Sequence, residues 1–250
     1  MSGKNKKSSR KNGDQEMALR RRRIVLFSLV VVVVLVAAIT IMIYKYLESS
    51  QPQAKKEPPA YRTEQTVQIN YKGQPLIGST NAPVKIVEFA DYRCPYCKVF
   101  EQDVVSQLKK EYIDTNKASF YFINYTILGP GSVLAASAAE EVYHQNPQGF
   151  WVFHKALYEA QGDENADKDW VTKDLLTRIA KKTVPSLDVR AFQSALDNQT
   201  HKKEIAEDNQ LAEDLDVPGT PAVFVNGHYV EGSQDYLILK QAVDHALKEK

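Results

Sequence analysis

The only two cysteines of this 250-residue chain lie two residues apart, in the segment Cys94-Pro95-Tyr96-Cys97. The segment directly follows the β-branched run Val84–Phe89, which predicts a mostly buried strand. Thiols at this spacing can close a disulfide ring and reopen it by exchange through a mixed disulfide. If a helix begins here, Cys94 lies at its N-terminus, where unpaired N–H groups and the macrodipole stabilise a thiolate. The sequence therefore predicts a strand–helix junction that carries a redox pair.

Two other interpretations of the cysteine pair are weaker. Half of a four-cysteine zinc site is excluded, because no second pair exists and the five histidines are scattered along the sequence. We therefore expect no metal site and no cofactor. A purely structural bridge across two residues would constrain little chain entropy, so it would add little stability.

The first 44 residues predict a membrane anchor. Residues 1–23 hold nine Lys/Arg against two Asp/Glu, and the 21 residues Ile24–Tyr44 carry no charge. As a helix, a run of this length extends about 30 Å, which matches a bilayer core. Cleavable signal peptides have a shorter apolar region followed by a small-residue cleavage site, so an uncleaved signal-anchor is favoured. The charge distribution predicts a cytoplasmic basic segment (1–23), one transmembrane helix (24–44) in the cell membrane and an extracytoplasmic remainder.

The exported part divides into a linker and one domain. Residues 45–65 are polar and rich in proline, which predicts a flexible tether. Residues 66–250 have a globular composition and the length of a single domain. The chain carries a net charge of only +1 although its N-terminus is strongly basic. The remaining residues are therefore mildly acidic overall. We expect lipid but no nucleic acid among its partners.

Hydrophobic patterns predict an α/β arrangement of this domain. Every fourth residue from Phe100 to Tyr112 is apolar, which predicts an amphipathic helix after the cysteine pair. Asn226-Gly227 between two short strands is a hairpin signal. The predicted strands span 84–89, 119–125, 221–226 and 229–231, and the predicted helices span 96–116, 132–145, 149–161, 170–182, 188–198, 203–215 and 235–248.

The segments Val87–Cys97 and Gly219–Gly227 resemble the two active-site motifs of the DsbA-type branch of the thioredoxin superfamily. The layout is most similar to the membrane-anchored, BdbD-like thiol–disulfide oxidoreductases of Gram-positive bacteria. This resemblance covers residues 66–250. It implies an α/β thioredoxin fold with an inserted helical domain at about 129–216, preceded by one N-terminal transmembrane helix.

One residue departs from the family pattern. Tyr96 stands where DsbA itself has histidine, and Cys-Pro-Tyr-Cys is typical of glutaredoxins. The spacing favours the DsbA branch, because Cys94 and Pro221 are 127 residues apart and glutaredoxins place these two motifs far closer. Thr183–Pro185 mimics a glutaredoxin Thr-Val-Pro motif, but residues typical of a helix start follow it, so we assign it no role.

The resemblance implies a substrate-binding edge beside the cysteine pair. In the superfamily the proline at position 221 is cis and packs against the disulfide, and with Thr220 it would present backbone groups to an extended peptide. Pro95 and Tyr96 would contact the same substrate. The alternative is that Pro221 merely opens an edge strand, where proline is tolerated.

Glu88 interrupts an otherwise apolar strand six residues before Cys94. A buried carboxylate is expensive unless it has a partner or a task. The resembling family has an acid here, close under the cysteine pair, and the implied role is proton exchange with Cys97. A solvent-facing edge position for Glu88 is the alternative.

The sequence therefore predicts a membrane-anchored, extracytoplasmic oxidoreductase that introduces disulfide bonds into reduced exported proteins. Cys94 exchanges with the substrate, and Cys97 resolves the mixed disulfide or closes the enzyme's own disulfide ring. The family implies reoxidation by a quinone-linked membrane partner, and we expect a monomer. Two alternatives stay open: a reductase of extracytoplasmic disulfides, for example in cytochrome c maturation, and a non-catalytic, membrane-tethered holdase.

The acidic segment with Asp163, Asn165 and Asp167 echoes a calcium-binding loop. It lacks the glycine at the sixth position and the terminal glutamate of such loops. A solvated loop that caps the helix after Trp170 is favoured.

Overall fold

The structure, a computed structural model, describes residues 35–37, 39–43, 45, 66–162 and 169–249. They belong to two units divided after Glu57, and the described residues before position 46 are helical. Among the residues described, no helix has both the length and the apolar character needed to cross a bilayer. Most of the predicted anchor, the tether apart from Lys45, and the acidic residues Asp163, Asn165 and Asp167 lie outside the described residues.

Five strands within residues 66–162 and 169–249 form one mixed sheet in the order β1-β3-β2-β4-β5. In the middle, β2 runs parallel to β3 and antiparallel to β4, while the edge strands β1 and β5 are antiparallel to their neighbours. The strands are Leu76–Ile77 (β1), Val84–Ala90 (β2), Ala118–Asn124 (β3), Ala222–Val225 (β4) and His228–Tyr229 (β5). The predicted strands are confirmed to within a few residues, and β1 is an addition that the sequence did not indicate.

The helices follow the predicted order. The helical stretch after the cysteine pair alternates between α-helical and π-helical segments, and the described residues between β3 and β4 form five further helices. The bounds are Pro95–Val99 (α1), Phe100–Val105 (π), Ser106–Leu108 (α2), Lys109–Ile113 (π), Pro130–Gln145 (α3), Pro147–Glu159 (α4), Lys173–Thr183 (α5), Val189–Asn198 (α6), Lys202–Asp214 (α7) and Tyr236–Lys248 (α8). Helices α3 to α7 fall within the span expected for the helical insertion.

The π-helical turns explain the four-residue period of the apolar residues. In a regular α-helix each step of four residues overshoots a full turn by about 40°, so three such steps would rotate the apolar stripe away from the sheet. Wider i→i+5 turns absorb that drift. Phe100, Val104, Leu108 and Tyr112 are all buried in one cluster, so the stripe stays on one face from end to end.

The sheet is covered on both faces because side chains alternate along β2. Val84 and Ile86 pack with the stripe of the first helical stretch and with α8. Val87 and Phe89 point to the opposite face, where Ala212 of α7 belongs to the same cluster. A third cluster joins the cysteine pair to helices α3 to α6. The junction between β2 and α1 therefore lies where the sheet meets the inserted helices.

The tip of the β4–β5 hairpin generates a stability prediction. Asn226 and Gly227 both have positive φ (49° and 83°), as a two-residue hairpin of this kind requires. A Cβ at Gly227 would lie 2.2 Å from the carbonyl oxygen of Val67. Gly73 also has positive φ, but a Cβ there meets no atom within 4 Å.

We predict that Gly73→Ala lowers the free energy of unfolding by about 1–2 kcal/mol, the usual penalty for this region of φ. Gly227→Ala should cost at least about 1 kcal/mol more, because it adds a steric clash to the same penalty. Urea unfolding of the two variants measures the difference. Equal losses would show that Val67 moves away freely and that the hairpin tip is not tightly packed.

Candidate active site

The loop between β2 and α1 sets the position of the first cysteine. Cys94 is the N-cap of α1 and Pro95 occupies the first turn, where its missing N–H has no consequence. The N–H of Cys94 donates to the carbonyl oxygen of Asp91 at 3.0 Å, and its own carbonyl accepts from the N–H of Lys98 at 3.2 Å. The sulfur is thereby placed at the N-terminal end of the helix.

Asp91 holds this loop against the one that follows β3. One carboxylate oxygen accepts the N–H of Arg93 at 2.8 Å. The other accepts the N–H groups of Ile127 and Leu128 at 2.9 and 3.0 Å. The side chain of Arg93 adds a hydrogen bond to the carbonyl of Leu128. Two apolar side chains, Ile127 and Leu128, are thereby kept exposed next to the cysteine loop.

The two cysteines are both buried, and the structure presents both as free thiols. A hydrogen bond from the Cys97 side chain, aided by the Thr220 side chain and the N–H groups of Cys97 and Tyr96, outweighs burial and lowers the pKa of Cys94 to about 6. Burial raises the pKa of Cys97 well above its usual value, and its bond to Cys94 and the charge of Glu88 add to this. Near neutral pH Cys94 is therefore the thiolate and Cys97 holds its proton.

The structure brings Thr220 and Pro221 to the sulfur of Cys94. The peptide bond between them is cis, as the resemblance implies. The Cys94 sulfur lies 3.2 Å from the carbonyl oxygen of Thr220, and the next residue, Pro221, is buried directly before β4. Tyr96, by contrast, is 71% exposed. The backbone N–H of Tyr96 and the carbonyl of Thr220 therefore both lie close to the sulfur, while the Tyr96 side chain is open to solvent.

Glu88 lies in the central strand and is fully buried, so the solvent-facing edge position is wrong. Within the described part of the chain, neither of its carboxylate oxygens has a hydrogen-bond partner. Burial, the charge of Glu101 and the charge of Cys94 raise its pKa well above the usual value. Burial thus favours the protonated form of Glu88, and the charges of this carboxylate and of the two thiols influence one another.

The sequence interpretation missed a set of buried polar groups around Glu88. The hydroxyl of Tyr92 lies 2.9 Å from Nδ1 of His154, and Nε2 of this histidine lies 3.4 Å from the Glu101 carboxylate. Burial raises the pKa of Tyr158 well above the usual value, and the charge of Cys97 contributes. One signal could have located Glu101, since it follows Cys97 by four residues and so shares its helix face.

Comparison with known proteins agrees with this geometry. A family model described as Thioredoxin matches residues 70–245. Disulfide bond formation protein D of Bacillus subtilis is 38% identical over 183 residues, covering 73% of this chain and 81% of the relative. A probable protein of the same description from Bacillus anthracis is 38% identical over 179 residues, covering 72% and 81%.

Solved structures show the same fold. The crystal structure of oxidised BdbD from Bacillus subtilis matches with a TM-score of 0.70 at 37% identity, covering 73% of this chain and 97% of that one. DsbA of Chlamydia trachomatis matches with a TM-score of 0.65 at 19% identity, covering 75% and 98%, which bears on the fold alone.

The chain is a thioredoxin-fold thiol–disulfide oxidoreductase, and helices α3 to α7 lie between its strands β3 and β4. It belongs to the thioredoxin family and, within it, to the group of disulfide bond formation protein D, whose activity is to introduce disulfide bonds. The expected resemblance is confirmed, and the glutaredoxin-like Tyr96 does not alter it.

The hydrogen bonds at Cys94 generate a pH-dependent prediction. Alkylation of the reduced protein by iodoacetamide should reach half its plateau rate at about pH 6 and fall about tenfold per pH unit below that, because only the thiolate reacts. Thr220→Val removes one of the stabilising hydrogen bonds and should move this midpoint to higher pH. Tyr96→Phe keeps the backbone N–H and serves as the matched control. A midpoint that stays near pH 8–9 in the wild type would contradict the assigned thiolate.

Proposed function

We propose that this chain oxidises reduced proteins outside the cytoplasm from a membrane-anchored position, with Cys94 as the exchanging residue. This proposal rests mainly on the opposite pKa shifts of the two thiols. The pKa of Cys94 is lowered to about 6, whereas the pKa of Cys97 is raised. A disulfide whose reduced form contains a stabilised thiolate is a stronger oxidant, because stabilising the product favours reduction of the bond.

The reaction is two successive thiol exchanges. A substrate thiolate attacks the Cys94 sulfur of the enzyme disulfide, and the Cys97 sulfur leaves. A second substrate thiolate then attacks the substrate sulfur of the mixed disulfide, and Cys94 leaves as a thiolate. The substrate gains one disulfide and the enzyme becomes a dithiol, so two electrons are transferred to the enzyme. A thiol with a pKa of about 6 is a good leaving group in the second step.

Glu88 supplies the proton that the first step needs. Cys97 is a poor leaving group as a thiolate, because burial raises its pKa. The raised pKa of Glu88 keeps a proton on this carboxylic acid next to the cysteine pair. Proton transfer from Glu88 to the departing Cys97 sulfur lets that sulfur leave as a thiol and moves the negative charge to the Glu88 carboxylate. After reoxidation the proton returns to Glu88.

Substrate proteins dock on the surface around the Cys94 sulfur. The carbonyl of Thr220 offers a backbone acceptor, and an unfolded chain presents matching N–H groups in an extended conformation. Tyr96, Ile127 and Leu128 add exposed apolar surface on both sides of the cysteine loop. These contacts select unfolded or extended segments and not one particular sequence.

We expect Cys97→Ala to accumulate mixed disulfides with a substrate protein that already contains a disulfide, because the Cys94 thiolate opens that bond and the Cys97 thiol that would release the adduct is absent. Cys94→Ala should form no adducts and lose oxidase activity. Adducts are detected by non-reducing electrophoresis and disappear with dithiothreitol. The opposite pattern of adducts would mean that Cys97, and not Cys94, exchanges with the substrate. If a variant without both cysteines still assisted the folding of substrate proteins, the holdase would be favoured.

The direction of the reaction is tested in the same protein by its reduction potential. Because the pKa of Cys94 lies between those of thioredoxin (about 7) and DsbA (about 3.5), the potential should lie between about −270 and −120 mV. A potential at or below the thioredoxin value would favour the reductase.

Anchoring by Ile24–Tyr44 places this oxidase beside a quinone-linked membrane protein that reoxidises it. The uncharged length and the basic segment before it support this placement, and residues 45–65 contribute reach. A fragment that begins at Thr66 should retain exchange with small substrates in solution but fail to form disulfides in cells. N-terminal sequencing of the native protein is the direct check. A mature N-terminus between residues 38 and 65 would mean that the segment is cleaved.

A further inference from the structure

Two histidines that are distant in the sequence meet in the helical insertion. His144 lies in the last turn of α3, and His201 is the N-cap of α7. Their rings stack with centroids 4.8 Å apart and planes 24° apart. Glu204 joins them from the first turn of α7. None of these three residues belongs to the cysteine site.

Their ligand atoms converge at metal-binding distances. The carboxylate oxygen Oε2 of Glu204 lies 2.8 Å from Nδ1 of His201 and 3.1 Å from Nε2 of His144. One ligand atom from each residue lies within 4.8 Å of those of the other two. A tetrahedral ion with ligands at 2.0–2.1 Å spaces them by about 3.4 Å, and the observed separations bracket this value. Movements of about an ångström in the more exposed side chains would bring the three ligand atoms to tetrahedral spacing.

Glu141 fixes the orientation that a metal ligand needs. It lies 2.6 Å from Nε2 of His201 through one carboxylate oxygen and accepts Nε2 of Gln145 through the other at 2.6 Å. A carboxylate that accepts a hydrogen bond from the N–H of one imidazole nitrogen leaves the lone pair of the second nitrogen free to ligate, and metal-binding histidines regularly have such a partner. The buried side chains of Glu141 and His201 (11% and 6% exposed) therefore direct Nδ1 towards Glu204.

We propose that His144, His201 and Glu204 bind one divalent transition-metal ion, with solvent as the remaining ligand. Two imidazole nitrogens and one carboxylate suit Zn²⁺, Ni²⁺ or Cu²⁺, whereas Ca²⁺ and Mg²⁺ prefer oxygen ligands. The side chains of His144 and Glu204 are 51% and 45% exposed, which gives the ion a path from solvent. The ion joins the end of α3 to the start of α7 and so stabilises the insertion.

The test uses the full-length protein in detergent with its cysteines oxidised, so that no thiolate competes for the metal. Zn²⁺ is titrated against a chromophoric chelator, and Co²⁺ serves as a spectroscopic probe of coordination. We expect one Zn²⁺ per chain and a Zn²⁺-dependent rise of the melting temperature. Co²⁺ should give the strong visible absorption of a four-coordinate site.

His144→Ala and Glu204→Gln should each lower the affinity for Zn²⁺ by at least about tenfold and remove the thermal stabilisation. His245→Ala is the matched control, because His245 is an exposed histidine paired with Glu249 at 3.3 Å outside the cluster; it should bind Zn²⁺ as the wild type does. Retained thiol–disulfide exchange shows that each variant is folded.

Three results would overturn the proposal. Absence of Zn²⁺ binding would leave only a hydrogen-bonded His–Glu cluster. Equal affinity in the wild type and both variants would place the ion elsewhere. Tight binding of Ca²⁺ with little affinity for Zn²⁺ would assign the ion to carboxylates such as Glu140 and Asp208, which line the same cavity as His144 and Glu204.

Discussion

The pairing of β4 with β2 brings the two halves of the active site together. Ala222 is opposite Phe89 and Val223 is opposite Glu88, so the residues just before β4 lie beside the end of β2, where the chain continues to Cys94. A slip of one residue would turn every side chain of β4 to the other face of the sheet. It would also withdraw the Thr220 carbonyl from the sulfur. The redox geometry thus depends first on strand register.

Much of the fold could be predicted from local patterns, and the differences have physical reasons. The strand at Val84 and the helices of the insertion carry clear periodicities, and their bounds agree to within about three residues. Leu76–Ile77 could not be recognised, because two residues carry no period and their strand exists only through pairing with β3. The four-residue spacing in the first helical stretch indicated a helix. Its π-helical turns could not be predicted, because they depend on which face of the helix packs against the sheet.

The residues of the candidate site also form two groups: those that sequence motifs identify and those that only the fold brings together. The cysteine pair and the Thr220-Pro221 segment are contiguous motifs, so the sequence locates them directly. His154 of α4, in contrast, meets Tyr92 of the cysteine loop and Glu101 of the first π-helical segment only in the folded protein. No single segment contains that arrangement. Groups whose function depends on tertiary contact are those that sequence patterns miss.

The helical insertion contributes to the chemistry by excluding water. Cys97 and Cys94 belong to a cluster whose other members include Phe150 and Phe153 of α4, and Tyr158 of the same helix is electrostatically coupled to Cys97. The thioredoxin part alone supplies the helix N-terminus and the proline edge, which stabilise a thiolate at Cys94. The insertion adds burial around Cys97, which raises the pKa of its thiol. The difference in pKa between the two thiols, which favours oxidation of the substrate, is therefore a property of both parts together.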